Sequence, residues 1–130
     1  MPNNTKPVYG IRDNKTLTEV MPNIWAEDVR TKEAGTSDSV RTIKINGVPI
    51  GRKAYITSVN RLVIDSGGHI ILSDIVKTDG TDPRGVKYVK LVEDERSGGQ
   101  LNVEIRFDGT KQPSEGEREW YRIHLQPFNF

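Results

Sequence analysis

Leu101-Asn102-Val103-Glu104-Ile105-Arg106-Phe107-Asp108 alternates apolar and polar residues without a break. A period of two places Leu101, Val103, Ile105 and Phe107 on one face of a β-strand and the polar residues between them on the other. Ser97-Gly98-Gly99 precedes the run and Asp108-Gly109 ends it. Both are sequences that a chain uses to reverse direction between paired strands.

The same grammar recurs outward in both directions. Residues 8–11 and 16–20 flank Asp13-Asn14-Lys15, and Ile43 and Ile45 lead through Asn46-Gly47 to Val48 and Ile50. Asn-Gly between apolar positions is the strongest short hairpin signal, because both turn residues take positive φ. Pro49 has no N–H to give a ladder, so that arm is expected at a sheet edge. Residues 53–59, 62–64 and 69–72 read as strands, the last two joined by Asp65-Ser66-Gly67-Gly68. Residues 86–92 are apolar on both faces and read as a central, doubly covered strand. The last strand, 119–126, alternates Tyr121, Ile123 and Leu125 against Trp120, Arg122 and His124. Residues 1–7 read as a flexible arm. For residues 23–39 two readings stand side by side: a short helical turn capped by Asn23, or an irregular loop.

About eight strands with short connections should pair mostly antiparallel, since parallel neighbours need long crossovers. The fold class expected is all-β, with little or no helix: an antiparallel β-sandwich or small β-barrel formed by residues 8–130 as a single domain. With 34% apolar and 28% charged residues, the core should be thin and the outer faces well solvated.

Composition narrows the function classes. A formal charge of +1, from 19 basic and 18 acidic residues, lacks the basic excess of a general nucleic-acid binder and argues equally against an anionic membrane surface. There is no cysteine, which removes disulfides, thiolate catalysis and cysteine-based zinc sites. The N-terminal residues are polar and show no signal-peptide pattern, and no stretch approaches the ~18 apolar residues of a membrane helix. A cytoplasmic protein, or a particle assembled in the cytoplasm, is expected.

Chemistry-bearing clusters are sparse. The two histidines, His69 after a turn and His124 on the last strand, are far apart in sequence and read as surface residues. Asp79, Asp82 and Glu93-Asp94-Glu95 lack the spacing of a calcium loop and suit turns and solvated faces. Glu115, Glu117 and Glu119 read as solvated. No nucleophile elbow, phosphate loop or dinucleotide fingerprint is present. No cofactor, metal site or catalytic residue is expected.

The aromatics are more informative. Trp120 falls on the polar face of its strand beside Arg122, and Trp25 could join it; rings so placed stack on sugars or bases, or anchor a protein. Phe128 and Phe130, near the end of the sequence, call for burial on this domain or a neighbouring subunit. Partner-binding candidates are therefore Trp25, Trp120, Arg122, Phe128 and Phe130, together with Val48 and Ile50 of the edge arm. In general style, being β-rich, cysteine-free, with a polar N-terminal arm and ending on a strand, the chain resembles small structural modules of tailed-bacteriophage virions. That resemblance implies a non-catalytic tail, baseplate, neck or capsid-decoration component that contacts copies of itself or other structural proteins. A carbohydrate-binding module using exposed aromatics is the alternative expectation, and a small barrel binding single-stranded nucleic acid the second.

Overall fold

The computed structural model describes residues 23–35, 37–44, 54–94, 96 and 100–127. Seven strands occupy them: β1 (Asn23–Thr31), β2 (Ser39–Lys44), β3 (Ala54–Ile64), β4 (Ile70–Ile75), β5 (Val86–Asp94), β6 (Gln100–Phe107) and β7 (Arg118–Pro127). All pairings are antiparallel. They form one sheet ordered β1-β7-β3-β4 and another ordered β2-β6-β5. The two stack as a sandwich and do not close into a barrel.

The opening stretch is β6, at the centre of the three-stranded sheet. Leu101, Val103, Ile105 and Phe107 are all buried. Facing them from the other sheet are Val59 of β3, Ala26 and Val29 of β1, and Tyr121, Ile123 and Leu125 of β7. On the other side of β6, Glu104 and Arg106 are half-exposed as the alternation predicts. Asn102 is not: it is buried, between its register neighbours Lys44 and Val92.

The turn chemistry is visible atom by atom. Asp65 Oδ1 accepts from the N–H groups of Gly67 and His69, at 2.9 Å each, and the Asp65 N–H donates to His69 O. This closes the β3–β4 hairpin over Gly68, whose φ of 82° suits glycine. At Gly85, φ is 97° and an added Cβ would lie 2.8 Å from the Lys111 Cβ. Two loops cross there with no room for a side chain.

Two expectations are corrected. Residues 23–31 are a strand, neither a helical turn nor a loop. Their apolar spacing is irregular because β1 carries a bulge: the register with β7 shifts between Ala26 and Arg30, and Asp28 takes a φ of 51°. The inward set is therefore Ile24, Ala26, Val29 and Arg30, a pattern that matches neither clean period. Among the described residues, 86–92 form an edge strand rather than a central one. The register of β5 shifts between Val86 and Tyr88, which puts Val86, Val89 and Leu91 together on the core side and leaves Tyr88 and Val92 on the outer face. Tyr88 donates to Glu104 Oε2 at 2.6 Å, and Lys90 Nζ lies 4.7 Å from the Tyr88 ring centroid. The expected arm at 1–7, the strands at 8–20, the 45–50 edge with Val48 and Ile50, and Phe128 and Phe130 lie outside the described residues.

Candidate interaction face

The outer face of the four-stranded sheet is built in rows by its register. Trp25, Arg122, Asn60 and Ile75 form one row across β1, β7, β3 and β4. Trp120, Leu62 and Ser73 form the next. The Arg122 guanidinium carbon lies 5.3 Å from the Trp25 ring centroid, within cation–π range. The β1 bulge has a use here: it turns Asp28 toward β7, where Oδ1 accepts from Trp120 Nε1 at 3.1 Å and sits 3.4 Å from Arg118 Nη1. Aspartate is among the few side chains that tolerate the left-handed backbone this needs.

Three of the seven candidates, Trp25, Trp120 and Arg122, are thus brought together on one solvent-facing surface. Trp25 remains 46% exposed. Tyr55 and the β4 isoleucines Ile70 and Ile75 extend the apolar character along the same sheet. Burial, with Arg122 adding to it, holds His124 below its ordinary pKa, so it is neutral near pH 7 and the face draws its charge from Arg118, Arg122 and Asp28. The opposite outer face carries Lys44, Lys90, Glu104 and Arg106 interspersed with Val40, Thr42 and Tyr88.

The two histidines lie at opposite ends of this sheet. His124 pairs with Ser58, whereas the hairpin carrying His69 sits beyond Ile64, whose partner is Arg118. About six residues of β7 separate those points, roughly 20 Å. Among the described residues, no group of three His, Asp or Glu side chains could hold a metal ion. Asp79 is engaged by Thr81 in its own turn.

Glu119 corrects the reading of 115–119 as solvated. It is fully buried on the inner face of β7, alongside an ion network absent from the candidates. Arg30 donates to it twice, Nε to Oε1 and Nη2 to Oε2, at 3.0 Å each. Tyr121 OH donates to Oε1 at 2.6 Å, and Arg84 Nε to Oε2 at 3.3 Å. The Arg30 guanidinium also donates to the carbonyls of Lys111 and Arg84 and stacks 4.4 Å from the Phe107 ring centroid. A second buried arginine, Arg61, donates to both oxygens of Asp82, at 2.9 Å each, and both of Asp74. Asp82 Oδ2 takes the Val86 N–H as well. Burial pushes the Asp82 carboxyl up, but Arg61 and that N–H outweigh it and hold it below the ordinary range. Burial, reinforced by Glu119, drives the Tyr121 phenol well above its usual pKa.

Carboxylates saturated by fixed donors and a phenol held neutral are poorly placed to move protons. What they do is fasten the 76–85 and 108–117 loops to the sheet. The signal for this cluster was present: Glu119 shares parity with Tyr121, Ile123 and Leu125, and Arg61 with Val59 and Val63.

A third anchor is Asp38. It accepts from Lys87 Nζ (2.8 Å), the Gly109 N–H (3.0 Å) and Arg106 (3.3 Å). The Lys87 hydrogen bond first, then that of Gly109, lowers its pKa to about 2. A depressed carboxyl contributes stability that is present above its unfolded-state pKa, about 3.9, and is lost as pH falls toward about 2. In an acid-unfolding series, Asp38→Asn is therefore expected to be less stable than wild type at neutral pH and to converge with it only as pH falls from about 4 to about 2. Parallel curves across that window would contradict the assignment.

No helix among the described residues is long and apolar enough to cross a membrane. No family model, curated protein or solved structure matches this chain.

Proposed function

We propose that this is a non-catalytic assembly protein that acts through protein–protein contacts made by the outer face of β1-β7-β3-β4. The observation that carries this reading is the grouping of Trp25, Trp120 and Arg122 on that face. Tryptophan, tyrosine and arginine are the side chains that dominate binding energy at protein interfaces, where a ring offers large rigid area and a polar handle. The buried ionic groups support the same reading, since their partners lie within the fold. On the resemblance noted above, the setting is a virion component of the tail, baseplate, neck or capsid decoration, and the partners are other structural proteins or copies of the chain.

A glycan ligand is the second reading, favoured by the exposure of the Trp25 ring. Two contacts weigh against it: Arg122 already lies against that ring, and the indole N–H of Trp120 is engaged by Asp28.

The test uses the full chain in cells that naturally make it, with photoreactive benzoylphenylalanine replacing Tyr55 on the proposed face or Thr42 on the opposite one. Irradiation should give discrete protein adducts from position 55 that Arg122→Glu abolishes, and none from position 42. Equal adducts from both positions would overturn the reading. So would an absence of adducts together with glycan-array binding that Trp25→Ala removes.

A further inference from the structure

Among the described residues, the four strands at the edges of the two sheets are not alike. β1 exposes Glu27 and Asp28 and is broken by its bulge. β2 exposes Lys44 beside Arg41, and β5 exposes Lys87, Lys90 and Glu93. Charges and bulges of this kind are what keep an open edge from pairing with another chain. β4 reads Ile70-Ile71-Leu72-Ser73-Asp74-Ile75, and its exposed residues are Ile70, Ile71, Ser73 and Ile75. Its single charge, Asp74, is turned inward to Arg61. Its register shift lies at the hairpin end, between the Val63 and Ile64 pairings, so Leu72–Ile75 stays regular.

The ladder fixes which backbone groups β4 offers. The Val76 N–H donates to Val59 O at 2.8 Å, and antiparallel pairs alternate between bonded and non-bonded. Asp74 and Leu72 therefore spend their backbone groups on β3, while those of Ser73 and Ile75 point to the open side. Among the described residues, no strand lies on that side.

We propose that the chain self-associates by antiparallel pairing of β4 with β4 of a second copy, related by a two-fold axis through Ser73. The occupant follows from the chemistry of the edge. A row of backbone donors and acceptors left open among the described residues is satisfied by another strand, and a neutral isoleucine edge meets its own copy without like charges facing. The axis at Ser73 sets Asp74 opposite Leu72 of the partner within the regular stretch and brings Ile75 to the bulged end of the partner strand, at Ile71. An axis one residue further would oppose the two Asp74 carboxylates directly, which is unfavourable. The same two-fold brings the two interaction faces side by side into one surface. This inference rests on the assembly reading but uses a different part of the sheet.

The chain contains no cysteine, which permits a direct test. A central bonded pair has Cα atoms about 5.5 Å apart, within the reach of a disulfide. Ser73→Cys should therefore form a covalent dimer under mild oxidation, whereas Thr42→Cys should not. Sedimentation over a concentration series should show wild type dimerising. Ile75→Lys should lose the dimer while keeping the wild-type circular dichroism and melting curve, and Arg122→Glu should keep it. Ser73→Pro, which removes an outward N–H while leaving the β3 ladder intact, is the second variant should Ile75→Lys fold poorly. A wild type that stays monomeric throughout, or a dimer that survives both β4 variants, overturns the proposal. Equal cross-linking of the two cysteine variants does so too. Adducts at position 55 from a chain that stays monomeric would overturn only the β4 pairing; their absence from a chain that dimerises would count against the docking face alone.

Discussion

Arg61→Leu is expected to lower the unfolding free energy by about 3–5 kcal/mol, the range for removing one partner of a buried ion pair. The leucine fills much of the volume, so the loss comes from the charge left behind. Asp82 is fully buried, and both its oxygens face the guanidinium. Without Arg61, burial is opposed only by backbone hydrogen bonds from Val86 and Arg84, and the Asp82 pKa is expected to rise above its unfolded value. A carboxyl with a raised folded-state pKa is penalised when ionised, so the deficit should shrink as pH falls through that raised pKa. Adding Asp82→Asn removes the stranded charge and should recover part of the loss. Urea unfolding at several pH values measures all three effects. A deficit under about 1 kcal/mol, the scale of an exposed pair, or no recovery in the double variant, would mean that this pair does not hold the loop.

Phe107→Ala is expected to cost about 3–5 kcal/mol, as large-to-small aromatic changes in a close-packed core do. Phe107 has two distinct neighbours. Its ring lies 6.0 Å from that of Tyr121 on the facing sheet, and Arg30 stacks against it. The alanine variant leaves a cavity and also uncovers the guanidinium that binds Glu119. Phe107→Leu should restore much of the apolar volume but not the stacking, so its deficit should fall between wild type and alanine. Equal deficits for the two variants would show that volume is not what Phe107 contributes.

Both residues show where a one-dimensional reading succeeds and where it stops. Phe107 was legible because strand alternation is strict and its turns are explicit. The same alternation located Trp120 and Arg122 on the solvent side of β7. Trp25 was harder: the bulge at Asp28 breaks the period that would have marked β1 as a strand. Residues 86–92 read as apolar on both faces because the register shift between Val86 and Tyr88 breaks the alternation that would have put Val86, Val89 and Leu91 on one side. Arg61 and Glu119 occupy core parity and could have been flagged as buried. Their partners could not, since Arg30 and Glu119 are 89 residues apart, and only the folded topology brings β1 and β7 together.

Amide hydrogen exchange on the full chain, compared between the purified protein and the assembly recovered from its native cells, bears most directly on whether this protein works by contact through one sheet. Slowed exchange at the outward amides of β4 and along β1, with β2 and β5 unchanged, is the expected result. Protection gained on β2 and β5 instead, or no gain anywhere in the assembly, would contradict it.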